Sequence, residues 1–62
     1  MKRYRFEFFT GRDVQQIRQA EYDDDQQAKV FAEGSLNAAD GAITSVEVWR
    51  STRLVCRIER DG

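Results

Sequence analysis

From Tyr4 to Phe8 every second residue is a large aromatic ring, and the residues between them, Arg5 and Glu7, are charged. In an extended chain Tyr4, Phe6 and Phe8 share one face, while Arg3, Arg5, Glu7 and Phe9 share the other. In a helix the same rings would point to opposite sides of the axis. Residues 3–9 are therefore read as a strand with one buried side. Such a strand must be joined by others and covered by a second layer.

The remaining chain supplies both. Thr10-Gly11-Arg12-Asp13 reads as a hairpin turn, with Gly11 able to take a positive φ. A second strand is expected over 14–21. Val14 and Ile17 are three apart and share a face only if a bulge intervenes; a helical turn at Val14–Ile17 is the alternative. The polar run Gln15, Gln16, Arg18, Gln19 suits an edge strand.

The acidic triplet Asp23-Asp24-Asp25 opens a helix, with Asp24 or Asp23 as N-cap and Gln27 at capping-box spacing from Asp24. Ala28, Phe31, Ala32, Ser35 and Leu36 then follow the helical period, with Lys29, Glu33 and Asn37 toward water. Asp40-Gly41 is the expected stop, with Gly41 as a left-handed cap. From Thr44 the period returns to two. Val46 and Val48 oppose Ser45, Glu47 and Trp49. After the short connection Arg50–Arg53, Leu54, Cys56 and Ile58 oppose Val55, Arg57 and Glu59. Residues 59–62 read as a polar tail.

These elements predict one α+β domain over residues 1–62: a two-layer ββαββ fold, its four-stranded, mainly antiparallel sheet ordered 2-1-3-4 under one helix. The predicted core is Tyr4, Phe6, Phe8, Ala28, Phe31, Ala32, Leu36, Val46, Val48, Leu54, Cys56 and Ile58. A core this small rarely supplies more than about 3–5 kcal/mol. An internal disulfide is excluded, since Cys56 is the only cysteine, and no histidine is present to help build a zinc site. Self-association or unusually good packing is left as the source of extra stability, and many domains of about this size fold alone.

The same features resemble short bacterial proteins of uncharacterised function that share this plan. The resemblance lies in Tyr4-Arg5-Phe6, in Asp23-Asp24-Asp25 with Ala28, in Val46-Glu47-Val48-Trp49 and in Arg53-Leu54-Val55-Cys56-Arg57-Ile58-Glu59. It covers nearly the whole chain. It implies the architecture and a bacterial origin, and it carries no catalytic residues.

Few groups are suited to catalysis. With no histidine, the usual acid–base group near neutral pH is missing. Cys56 has buried parity, Ser35 and Ser51 have no visible base, and the glycines are too scattered for a phosphate loop. Three consecutive aspartates cannot all turn to one cation, so the triplet reads as a helix cap. The chain is expected to be non-enzymatic, with no cofactor, metal or evident small-molecule ligand. Ten basic and eleven acidic residues give no bulk pull toward nucleic acid or membrane. No apolar stretch reads as a signal peptide or membrane span, and a cytoplasmic location is expected.

The face away from the helix is the candidate site: Arg3, Arg5, Phe9, Trp49, Val55 and Arg57. Tryptophan and arginine are enriched at interface hot spots, and an uncovered sheet face on a small domain suits a homodimer. Single-stranded nucleic acid, stacked on Phe9 and Trp49 and held by Arg3, Arg5 and Arg57, is the alternative. Glu7, Glu47 and Glu59 on the same face weigh against it.

Overall fold

The computed structural model describes residues 1–39 and 41–60. In chain order it contains β1 (Lys2–Thr10), β2 (Asp13–Tyr22), α1 (Asp25–Ala38), β3 (Ser45–Arg50) and β4 (Arg53–Glu59). The strands form one sheet in the order β2-β1-β3-β4, each neighbouring pair antiparallel. This is the expected ββαββ α+β fold. Both β2 and β3 run against β1, so they are parallel to each other, and α1 connects them.

The aromatic face of β1 is the floor of the core. Tyr4 and Phe6 are fully buried and Phe8 nearly so; Ala28, Ala32 and Leu36 of α1 press on them beside Val46 and Val48 of β3. The alanines let the helix sit close to the sheet. Phe31 joins from the side, its ring 5.0 Å from that of Phe6 and 5.6 Å from that of Tyr22. Tyr22 lies one residue beyond the expected end of β2. As part of that strand it packs on Tyr4, Phe6 and Phe31.

Two residues depart from the expected faces for one reason. In the β3–β4 ladder Val48 pairs with Cys56 but Trp49 pairs with Leu54, leaving Val55 as an extra residue. The bulge turns Leu54 to the open face beside Trp49, where it is exposed, and brings Val55 against the core. The assignments of Leu54 to the core and Val55 to the open face are both overturned. A second bulge sits in β2: Phe8 pairs with Gln16 and Phe9 with Val14, leaving Gln15 over. This is the irregularity that Val14 and Ile17 required in order to share a face.

Each hairpin turns on two residues with a positive φ at the first: Gly11 at 61° and Ser51 at 57°. Glycine meets no steric penalty there, but serine does. A Cβ built on Gly11 would have nothing within 4 Å, so the consequence of adding one is confined to the backbone. Gly11→Ala is expected to destabilise the domain by about 1 kcal/mol, and Gly11→Asn by less. Urea unfolding of the two variants checks this; equal losses would contradict a conformational origin.

The helix is fastened at both ends. Asp24 is the N-cap, its Oδ1 accepting from the Gln27 N–H at 2.9 Å, while Gln27 Oε1 accepts from the Asp23 N–H at 3.1 Å. Asp25, in the first turn, accepts the Tyr4 hydroxyl proton at 2.6 Å on Oδ1 and Arg53 Nη2 at 3.3 Å on Oδ2. The first turn is thereby tied to β1 and β4. At the other end the last helical residue is Ala38, and the C-cap is Ala39 in an extended conformation. Gly41 is therefore not the cap, and Asp40 lies outside the described residues. Arg60, expected in a polar tail, instead donates from Nη2 to the carbonyls of Leu36 and Ala39 and from Nε to that of Ile43. The Leu36 carbonyl already accepts from the Ala39 N–H, so Arg60 adds a second donor there and ties the helix end to the end of β4. Asp61 and Gly62 lie outside the described residues.

Candidate interaction face

The register places the side chains of the open face in rows across the sheet. One row holds Val14, Phe9, Ser45 and Glu59; the next holds Ile17, Glu7, Glu47 and Arg57; the third holds Gln19, Arg5, Trp49 and Leu54. Arg3 and Glu21 begin a fourth, which β3 does not reach.

The central row sets two carboxylates, Glu7 and Glu47, directly opposite each other, a destabilising arrangement if left alone. Arginines from the flanking positions relieve it. Arg5 Nε donates to Glu7 Oε2 at 2.7 Å, and Arg57 Nη1 donates to Glu47 Oε2 at 2.7 Å. The glutamate side chains are only 17% and 15% exposed beneath these partners. The same guanidinium groups cover the aromatics: Arg5 lies 5.4 Å from the Trp49 ring centre and Arg57 5.7 Å from that of Phe9. The Trp49 Nε1–H donates to Glu47 Oε1 at 3.0 Å, which fixes the indole. Arg57 is also 3.9 Å from Glu59, and Arg3 is 3.8 Å from Glu21.

The structure thus brings Arg3, Arg5, Phe9, Trp49 and Arg57 onto one face as expected and removes Val55 from it. It adds three residues that the strand parity alone did not place there: Val14, Ile17 and Leu54, exposed to 45%, 55% and 44%. Val14 and Leu54 each stand beside a bulged residue, Gln15 and Val55. Val14 faces Phe9 and Ile17 faces Glu7 on one flank; Leu54 faces Trp49 on the other. Each arginine of the face already has a glutamate within ion-pair distance. Phosphates of a nucleic acid would have to compete with those carboxylates.

Other chemistry finds little support. Cys56 is half-buried, and burial pushes its thiol up, away from the reactive thiolate. Asp24 and Asp25 are engaged as cap and anchor. Among the described residues no group of three His, Cys, Asp or Glu side chains is placed to hold a metal ion, and no helix is long and apolar enough to cross a membrane. No protein-family model, curated protein or solved structure matches the chain.

Proposed function

We propose that this protein is a non-enzymatic interaction module that forms a homodimer through the open face of its sheet. The observation that carries the reading is the exposure of Val14, Ile17 and Leu54 around Phe9 and Trp49, on a domain whose own core is small. The choice of a second copy as occupant follows from charge and size. Arg3, Arg5 and Arg57 alternate with Glu7, Glu21, Glu47 and Glu59, so the face offers both signs to an identical face and a strong field to neither. The molecule measures 32 × 20 × 15 Å, and a face bounded by the two longer edges is on the order of the ~800 Å² that each partner contributes to a stable interface.

Light scattering coupled to size-exclusion chromatography, run over a range of concentrations, is expected to give a mass near twice 7.2 kDa. Trp49→Ala and Ile17→Lys should each weaken assembly roughly tenfold or more while circular dichroism shows a folded chain. Lysine at position 17 would face Glu7, which the fold tolerates, but would place a charge in the interface. A monomer at every concentration, or a dimer indifferent to both substitutions, would reject the reading.

A further inference from the structure

We propose that the outer edge of β2 pairs with an extended segment of another protein, one that carries an acidic and an apolar residue two apart. Among the described residues β2 ends the sheet, so its alternate residues hold out N–H and C=O groups with no strand to receive them. The extra residue of β2, Gln15, lies near its start, and residues 16–22 pair with β1 without a break. The opposite edge is less suited, since the extra residue Val55 interrupts β4 in its middle. Gln16 and Arg18 stand opposite Phe8 and Phe6, on the helix side of the sheet. Both are exposed, so α1 leaves this stretch of β2 bare.

Between this stretch and α1 lies a groove of about 280 Å³, its lining including Phe8, Ala38, Ala39 and Ile43 as apolar parts and Gln16 and Arg18 on the β2 side. Small-molecule sites measure about 300–1,000 Å³; this smaller groove suits one apolar side chain. Arg18 has no carboxylate within ion-pair distance among the described residues. An added strand is therefore favoured if it sets an acidic residue opposite Arg18 and an apolar one opposite Gln16, over the groove. The residue between them, on the other face, would meet Ile17, which is 55% exposed. A second copy of this chain does not bring the acidic residue. In an antiparallel pair across a two-fold axis its β2 would present Gln16, Arg18, Ala20 and Tyr22 on this side. Its β4, placed head to tail, would present Arg53, Val55, Cys56 and Ile58. The occupant is therefore a different protein. The site lies on the edge and the helix side of the sheet, so it stands whether or not the open face dimerises.

Amide NMR titration with the peptide acetyl-Thr-Lys-Thr-Thr-Glu-Val-Leu-amide tests the site. Its length matches residues 16–22, and its order is set for antiparallel pairing, the slightly more stable kind. In that register its Glu meets Arg18, its Val meets Ile17 and its Leu meets Gln16, while Lys, opposite Glu21, keeps the peptide neutral. Saturable shifts are expected at residues 16–22 and at Ala38, Ala39 and Ile43, and none at residues 53–59. Arg18→Glu, at an exposed position, should weaken binding roughly tenfold, because attraction becomes repulsion. A peptide with Lys in place of Glu should recover binding to that variant. The first peptide N-methylated at both Glu and Val should not bind, because one of two successive N–H groups must enter the ladder. No binding at millimolar peptide, equal binding by the methylated peptide, shifts at both edges alike, or no recovery by the Lys peptide would each overturn the proposal. Shifts at residues 16–22 on concentrating the protein without peptide would put a second copy on this edge and overturn it as well.

Discussion

Phe6→Ala is expected to abolish cooperative folding. The Phe6 side chain is wholly buried, and its ring meets Phe31 edge-on at 5.0 Å and Tyr22 at 6.2 Å. It sits mid-strand, with Arg18 opposite on β2 and Val48 opposite on β3, so the void would open where the sheet and helix meet. Truncating a buried phenylalanine costs about 3–5 kcal/mol. A single core in a chain of this size rarely supplies more than roughly the same amount. The two magnitudes meet, and little stability is left. Urea unfolding followed by circular dichroism should show no sigmoidal transition in the variant. Phe31→Ala, at a half-buried ring, should keep a transition at lower urea. A Phe6→Ala protein with a sharp transition near that of the parent would mean that the aromatic floor is not what holds the domain together.

That floor was also the most legible part of the sequence. Tyr4, Phe6 and Phe8 alternate without interruption, and β1 lies between β2 and β3 with its aromatic face under the helix, so pattern and environment agree along its length. The helix start was legible for a similar reason: Asp24 and Gln27 interact through groups three residues apart, which spacing alone reveals. The strand order followed from connection rules once four strands and one helix had been recognised.

What strand parity misplaced are features made by distant partners. Val55 is an extra residue only because Trp49 pairs with Leu54 while Val48 pairs with Cys56, and nothing local to Leu54-Val55-Cys56 announces that skip. In β2 the three-residue spacing of Val14 and Ile17 pointed to either a bulge or a helical turn, and the structure has the bulge. In β4 the alternation looked regular, and the signal was absent. Arg60 was read as tail because its acceptors, on Leu36, Ala39 and Ile43, lie 17 to 24 residues away. The candidate face was legible through its arginines and aromatics, and its glutamates were visible too. Which arginine satisfies which glutamate, and the groove between β2 and α1, depend on register and packing and became apparent only in three dimensions.

Tyr4→Phe should lower the melting temperature by several degrees between mildly acidic and mildly alkaline pH, and this difference should shrink at both extremes. The tyrosine hydroxyl donates to Asp25, and Arg53 holds the second carboxylate oxygen. The hydrogen bond from Tyr4 draws the Asp25 carboxyl below its ordinary 3.8, against an upward push from burial and with help from Arg53. A carboxyl whose value is depressed by folding stabilises the fold above its unfolded value, and the contribution is lost as pH falls through the folded one. The same bond, with burial and the Asp25 charge, raises the Tyr4 phenol above 10.0. A phenol raised by folding contributes fully below its unfolded value and loses that contribution as pH climbs through the folded one. The pin between α1 and β1 is therefore strongest between those limits. Phenylalanine removes the shared proton while keeping the buried ring. Melting curves from pH 2 to pH 11 should converge with those of the parent at low pH, and the alkaline loss should be smaller in the variant. A constant gap at every pH would show that the hydroxyl acts through packing alone. Asp25→Asn separates charge from geometry: its amide oxygen can still accept the tyrosine proton, but the acid limb of the curve should flatten.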